Sequence, residues 1–164
     1  MAVVKKHILA TLESLDGHYN TAPTTEATYY SKLAIIELCG WLEFTVDSIA
    51  EYYANKKLRT IPYRDIFSSI KQNTFGFDYK KHFRKMLYQT IGLPVMEKIE
   101  RKINNGGLIT ILDTELDNLK ILRDDAAHTY IDATKTYQAP SVTKTQLTRI
   151  YPILKLINKE VRAL

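Results

Sequence analysis

The sequence contains the stretch Leu33-Ala-Ile-Ile-Glu-Leu-Cys-Gly-Trp-Leu-Glu-Phe-Thr-Val46, in which apolar residues recur at steps of three and four. The same spacing extends on both sides of this stretch. Nothing between Thr24 and about Lys56 interrupts a helix, because that range has no proline and its only glycine is Gly40. Steps of three and four residues place side chains on one face of an α-helix. The stretch therefore predicts one long helix that spans the domain.

Helical spacing also dominates the rest of the chain. A first helix is predicted to stop at Asp16-Gly17, with a loop over residues 17–25. Further helical segments are predicted over residues 63–71, 79–88, 95–103, 113–128 and 143–162, separated by glycine and proline signals. No segment has the two-residue alternation of a half-buried strand. We therefore predict an all-α, up-and-down bundle of about five or six helices in a single domain over residues 1–164, with residues 1–22 as an N-terminal helix or arm.

Composition narrows the class of protein. The chain has 164 residues, of which 45% are hydrophobic and 25% charged, and a net charge of +5 that permits a nucleic-acid partner without requiring one. Cys39 is the only cysteine, so no internal disulfide can form, and its apolar setting predicts a buried, inert thiol. The first residues lack a signal-peptide pattern, and no apolar run reaches the length of a membrane span. We expect a soluble, cytoplasmic protein without a membrane partner.

Most standard catalytic motifs are absent, and one candidate pair remains. The sequence has no glycine-rich phosphate loop, no paired-cysteine zinc pattern and no pair of Glu-x-x-His motifs, so we expect neither a metal nor another cofactor. Arg123 and His128 are two parts of a metal-free phosphodiester transfer. A neutral imidazole can take the proton of a ribose 2′-OH, and a guanidinium can hold two phosphate oxygens. This chemistry requires RNA, because DNA lacks the 2′-OH.

The spacing of this pair constrains its geometry. Five helical steps leave Arg123 and His128 roughly 140° apart around a continuous helix. Either the helix ends or bends near His128, or a second copy of the chain completes the site across a two-fold axis. A purely structural alternative is that Arg123 pairs with Asp124 or a neighbouring helix, while His128 ends the helix, where a cation is favourable.

Two short motifs resemble a known family. Leu-Arg-Asp-x-x-Ala-His at residues 122–128, near a helix end in a small all-α chain, resembles the Arg-x4–6-His signature of the HEPN superfamily. Cys39-Gly-Trp-Leu-Glu-Phe44 is similar to an aromatic-x-Glu element of some HEPN groups. The resemblance implies a helical bundle, a homodimer around the motif and, in many members, metal-independent endoribonuclease activity in toxin–antitoxin, anti-phage or RNA-processing systems. Other members are inactive scaffolds.

The resemblance also implies roles for individual residues. Arg123 would hold the scissile phosphate and His128 would act as general base or acid. Asp124 would orient His128, within the chain or across the dimer. Glu43 and Asp125 would be supporting acidic residues.

A further implication concerns Tyr130, because Arg123-x4-His128-x-Tyr130 resembles the extended motif of HEPN toxins encoded beside a minimal nucleotidyltransferase antitoxin. In that group the tyrosine accepts AMP, and the added phosphates block the RNA cleft. Tyr130 is therefore a candidate modification site, and an antitoxin of this or another kind is a candidate partner. The alternative is an ordinary amphipathic tyrosine, one of 11 in the chain.

A basic and aromatic segment could guide RNA. Lys80, Lys81, Arg84 and Lys85 lie among aromatic residues between positions 75 and 83, and cations with exposed aromatics can hold a nucleic-acid backbone and stack on its bases. Alternatively, the aromatics are core residues and the cations form a solvated helix face. The sequence thus predicts a homodimeric HEPN-type endoribonuclease, and the alternative is a non-catalytic HEPN-type module that binds RNA or a protein.

Overall fold

A computed structural model of the chain describes residues 3–131 and 135–164. Over these residues the chain forms seven α-helices and no β-strand, which confirms the predicted all-α class. The helices are α1 (Lys6–Thr21), α2 (Thr24–Lys57), α3 (Ile61–Gln72), α4 (Arg84–Ile91), α5 (Leu93–Ile103), α6 (Leu108–His128) and α7 (Pro140–Ala163), with a π-helical turn at Tyr79–Phe83 and a 3₁₀ turn at Asn105–Gly107. The seven helices match the seven predicted segments one by one, and their number is one above the predicted count of five or six. Gly92, at φ +91°, separates α4 from α5.

The predicted long helix is confirmed as α2, which has 34 residues and is about 50 Å long at 1.5 Å per residue. It packs against α1, α6 and α7, and its inward face lies in the core through a row of fully buried side chains: Ala34, Ile35, Leu38, Leu42, Val46 and Ile49. These side chains belong to one cluster to which the other long helices also contribute. The central position of α2 explains why its apolar spacing is the clearest in the sequence.

Two predicted boundaries are wrong. The first helix passes through Gly17 and continues to Thr21, so the predicted loop over residues 17–25 shrinks to two residues. The added turn is held by the ring of His18, which stacks on Tyr30 of α2 at 5.4 Å between ring centroids. The other error is the start of α6 at Leu108 rather than near Asp113. The two glycines directly before Leu108, Gly106 and Gly107, have positive φ angles of +68° and +75°. The turn that precedes α6 is formed by these two glycines, so the helix begins directly after them.

The segment between α3 and α4 folds back onto the core. Gly76 has a φ of +107°, and a Cβ at this position would lie 3.1 Å from Nδ1 of His82, so the turn requires glycine. The carboxylate of Asp78 accepts the backbone N–H of Lys81 at 2.8 Å and caps the π-helical turn. This turn places the Phe77 ring beside α6, next to Arg123.

Candidate functional site

The candidate site lies where the last turns of α6 pass α2. Leu112, Leu116, Leu119 and Ala126 of α6 are completely buried and hold the helix in place. The Cys39 thiol of α2 donates to the carbonyl oxygen of Leu119 over 3.7 Å. Burial raises the pKa of Cys39 to about 12, so its thiol stays protonated, which agrees with the predicted inert thiol.

Arg123 is held between two carboxylates. Its Nη1 lies 3.2 Å from Oε1 of Glu43, a residue 80 positions earlier in the chain, and its Nε lies 2.8 Å from Oδ1 of Asp124. The Nε contact is an ion pair without the alignment of a hydrogen bond. The guanidinium also lies 5.7 Å above the Phe77 ring. The structure thus brings together three predicted site residues in a cluster with one positive and two negative charges.

The Arg123 side chain is partly accessible, with 31% of it exposed, whereas its Nε atom is buried. His128, the last residue of α6, is exposed, and within the described part of the chain its ring makes no hydrogen bond, ion pair or ring contact. No hydrogen bond joins His128 to Asp124 within those residues. Because α6 remains α-helical from Leu108 to His128, the two side chains leave it about 140° apart. Within one chain they do not point at a common phosphate.

Asp125 lies away from this cluster and anchors the chain beyond α6. Its carboxylate accepts hydrogen bonds from Lys135 at 2.8 Å and from the Thr129 hydroxyl at 2.9 Å. These two hydrogen bonds, that of Lys135 first, lower the pKa of Asp125. Lys32 of α2 donates to the Thr129 carbonyl oxygen at 3.1 Å and ties the same end of α6 to α2.

The contacts of Lys32, Lys135 and Phe77 around the site were not predicted. Lys32 and Thr129 are 97 positions apart, and no local pattern reports such a pair. Tyr130, the candidate modification site, lies two residues beyond α6, and its side chain is 86% exposed. A modifying enzyme can therefore reach its hydroxyl group.

The predicted RNA-guiding segment is mostly engaged within the fold. The rings of Phe77, Tyr79 and Phe83 are core residues, as the structural alternative requires, whereas Phe75 is exposed and stacks on His82. Two of the four cations are paired, each with one carboxylate: Lys80 with Asp113 at 2.6 Å and Arg84 with Glu100 at 2.7 Å. Lys81 is exposed and Lys85 is half-buried.

A polar groove of about 510 Å³ lies on the other side of Glu43, between α2 and α3. Asp47 and Glu51 follow Glu43 at four-residue steps along the groove, and Lys71 pairs with both of them, at 3.2 Å and 2.6 Å. Burial raises the pKa of Asp47, although Lys71 opposes the shift. The α3 side of the Arg123 cluster therefore carries three carboxylates and one lysine.

Neither a metal centre nor a membrane span is found in the described residues. Within residues 3–131 and 135–164, no three His, Cys, Asp or Glu side chains gather in a group that could hold a metal ion. None of the helices in those ranges is long and apolar enough to cross a bilayer. Comparison of the chain with family models, with curated proteins and with solved structures gives no match.

Proposed function

We propose that this protein is a metal-independent endoribonuclease of HEPN type that acts as a homodimer. The observation that carries the proposal is the cluster of Glu43, Arg123 and Asp124, which gathers around one partly exposed arginine beside the helix end that bears His128. These are the residues to which the family resemblance assigns roles. In this proposal the protein is a toxin or an anti-phage effector in the cytoplasm, controlled by an antitoxin such as a minimal nucleotidyltransferase that transfers AMP to Tyr130.

The reaction divides between the two basic side chains. His128 takes the proton from a ribose 2′-OH, and the 2′ oxygen forms a bond to the adjacent phosphorus while the bond to the 5′ oxygen breaks. Arg123 stabilises the negative charge that builds on the non-bridging oxygens. The leaving 5′ oxygen takes up a proton from water and His128 returns its proton to the solvent, so the products carry a 2′,3′-cyclic phosphate and a 5′-OH.

One observation favours a second function, a non-catalytic module that binds RNA or a protein. The Arg123 guanidinium is already paired with two carboxylates, and a phosphate must compete with both of them. A scaffold that uses Arg123 only to hold α6 against α2 would have the same contacts.

Cleavage of RNA in the presence of a chelator distinguishes the two functions. We expect the wild-type protein to cut single-stranded RNA in excess EDTA and to leave cyclic phosphate ends, and His128→Ala to lose this activity by at least about 100-fold. His7→Ala is the matched control, because His7 is an exposed histidine of α1 outside the candidate site. A substrate with 2′-deoxyribose at the cut position should resist cleavage. Intact RNA at micromolar wild-type protein would contradict the nuclease and support the module.

A further inference from the structure

A small cavity lies between the residues that lead into α1 and the middle of α2. Its volume is about 240 Å³, which is below the size of pockets for drug-sized ligands and suits a single ring system. The wall before α1 is held by two hydrogen bonds to its backbone. Nε1 of Trp41 donates to the Val4 carbonyl oxygen at 3.2 Å. The Tyr151 hydroxyl donates to the Val3 carbonyl oxygen at 3.3 Å.

The lining of this cavity combines aromatic rings with hydroxyl groups. The rings are those of His7, Trp41 and Phe44, and the hydroxyls belong to Thr45 and Ser48. Aromatic rings offer flat faces on which another flat ring can stack. A hydroxyl can donate or accept a hydrogen bond, so it suits a ring that carries polar atoms on its edge. The lining therefore fits a planar polar ring better than an aliphatic chain.

The Thr45 hydroxyl is the group that calls for a ligand. Thr45 is only 4% exposed, yet its hydroxyl has no hydrogen-bond partner among the described residues. Threonines in other helices behave differently, since Thr90 and Thr148 donate to the carbonyl oxygen four residues earlier, at 2.7 Å and 3.1 Å. A buried hydroxyl without a partner costs free energy, and a ligand that bonds to it removes this cost.

We propose that the cavity binds a nucleobase, which stacks on the aromatic lining and bonds to the Thr45 hydroxyl. Phe44 is 59% exposed and so lies on the open side of the cavity, where an unpaired base can reach its ring. Lys6, which directly precedes His7, is exposed and makes no ion pair in the part of the chain that the structure describes. It can therefore meet a phosphate attached to the base. A neutral aromatic compound would leave this charge unused.

The base can belong to a free nucleotide or to an RNA strand, and the second source rests on the proposed function. Phe44 lines the cavity, and the residue before it, Glu43, pairs with Arg123. Consecutive side chains leave a helix about 100° apart, so the cavity and the Arg123 cluster lie on adjacent sides of α2. An RNA strand whose phosphate contacts Arg123 can thus place a neighbouring base in the cavity.

The fluorescence of Trp41 tests the proposal, because Trp41 is the only tryptophan in the chain and lines the cavity. The probes are the ribonucleoside 5′-monophosphates, an uncleavable 2′-deoxy-substituted RNA, and ribose 5-phosphate, which has no base. We expect a saturable change in emission with a mononucleotide or with the RNA, and none with ribose 5-phosphate. A response to mononucleotides identifies free nucleotides as a source, whereas a response to the RNA alone identifies the strand.

Two variants test the individual contacts. Thr45→Val removes the hydroxyl and keeps the shape of the side chain, so it should weaken binding about tenfold. Phe44→Ala removes an exposed ring and should weaken binding by a similar factor of about ten. Tyr29→Ala is the matched control, because Tyr29 is 57% exposed on the same helix but outside the cavity, and it should leave the affinity unchanged. Circular dichroism checks that all three variants keep the helical fold.

The base site would be overturned if neither nucleotides nor RNA gave a saturable change in Trp41 emission. Equal affinities in the wild type, Thr45→Val and Phe44→Ala would also overturn it. So would a saturable response to indole without one to nucleotides or RNA, because the cavity would then take a neutral ring. None of these measurements requires cleavage. An inactive protein that binds a base therefore refutes the proposed nuclease alone, and an active nuclease without a Trp41 response refutes the base site alone.

Discussion

The end of α6 and the segment from Phe75 to Lys85 both combine cations with aromatic rings, but the fold treats them differently. In the segment, each paired cation has one carboxylate partner, and three of the four aromatic rings are in the core. At the end of α6, the single guanidinium of Arg123 has two carboxylate partners and lies above Phe77, and the Arg123 side chain is partly exposed. One region is a solvated face over a core, and the other is a concentrated polar site.

The two regions differ in the number of carboxylates beside each cation rather than in the number of cations. Ion pairs on an exposed helix face contribute little to stability and hold no reactive geometry. The two carboxylates beside Arg123 outweigh its single positive charge, so the cluster has a net negative charge. An incoming phosphate therefore needs further positive charge from Lys32 or from a second chain. The following predictions test this contrast, beginning with the largest expected effect.

Removal of the guanidinium should separate the two regions most clearly. We expect Arg123→Ala to lower the rate of RNA cleavage by at least about 100-fold, because the charge that builds on the phosphate loses its stabilising partner. Lys80→Ala should change the rate by less than about threefold, since Lys80 is paired with Asp113 on a helix face. Single-turnover cleavage of one RNA substrate measures both effects. Equal losses in the two variants would contradict the contrast.

The aromatic residues of the segment should differ sharply in their contribution to stability. Phe83→Ala removes a completely buried ring and should lower the free energy of unfolding by about 3–5 kcal/mol. Phe75→Ala removes an exposed ring and should change it by no more than about 0.5 kcal/mol. Urea denaturation followed by circular dichroism measures both. A large loss in Phe75→Ala would place that ring in a packed environment that the structure does not have.

A smaller effect is expected when one carboxylate of the Arg123 cluster is neutralised. Asp124→Asn leaves the guanidinium with one carboxylate partner and should strengthen binding of an uncleavable 2′-deoxy-substituted RNA by about threefold to tenfold at low salt. Asp117→Asn makes the same charge change at an exposed position of α6 and is the control. Fluorescence anisotropy at two salt concentrations measures the affinities. If both variants bind the RNA more tightly by the same factor, the effect comes from the net charge of the protein and not from the Arg123 cluster.

The smallest effect concerns the titration of Asp125. Lys135 and Thr129 lower the pKa of this carboxyl group in the folded chain, so its contribution to stability is present at neutral pH and is lost as the pH falls through the folded pKa. Lys135→Met should move the pKa of Asp125 back up towards the usual value of an aspartate. Lys32 also lowers this pKa, but less than Lys135 and Thr129 do, so Lys32→Met should raise it less. Carboxyl carbon NMR shifts between pH 2 and pH 7 measure the change. An unchanged pKa in Lys135→Met would contradict the assigned cause.

Local spacing sufficed to predict the all-α class, the long helix α2 and the course of the later helices. The boundaries at Gly17 and Asp113 failed because a glycine or an acidic residue only biases a helix end. The helix continues past Gly17, where His18 stacks on Tyr30 of another helix, and the glycine pair before Leu108 sets the start of α6 ahead of Asp113.

The candidate site divides in the same way. Its residue types and the 140° angle between Arg123 and His128 could be derived from the chain, because the angle follows from helix geometry alone. The partnership of Arg123 with Glu43, the tie between Lys32 and Thr129, and the burial of Phe77 needed the folded chain. Periodicity reports only which face of a helix is apolar. Contacts between residues 80 or 97 positions apart depend on how whole helices pack, and that information is not contained in any short stretch.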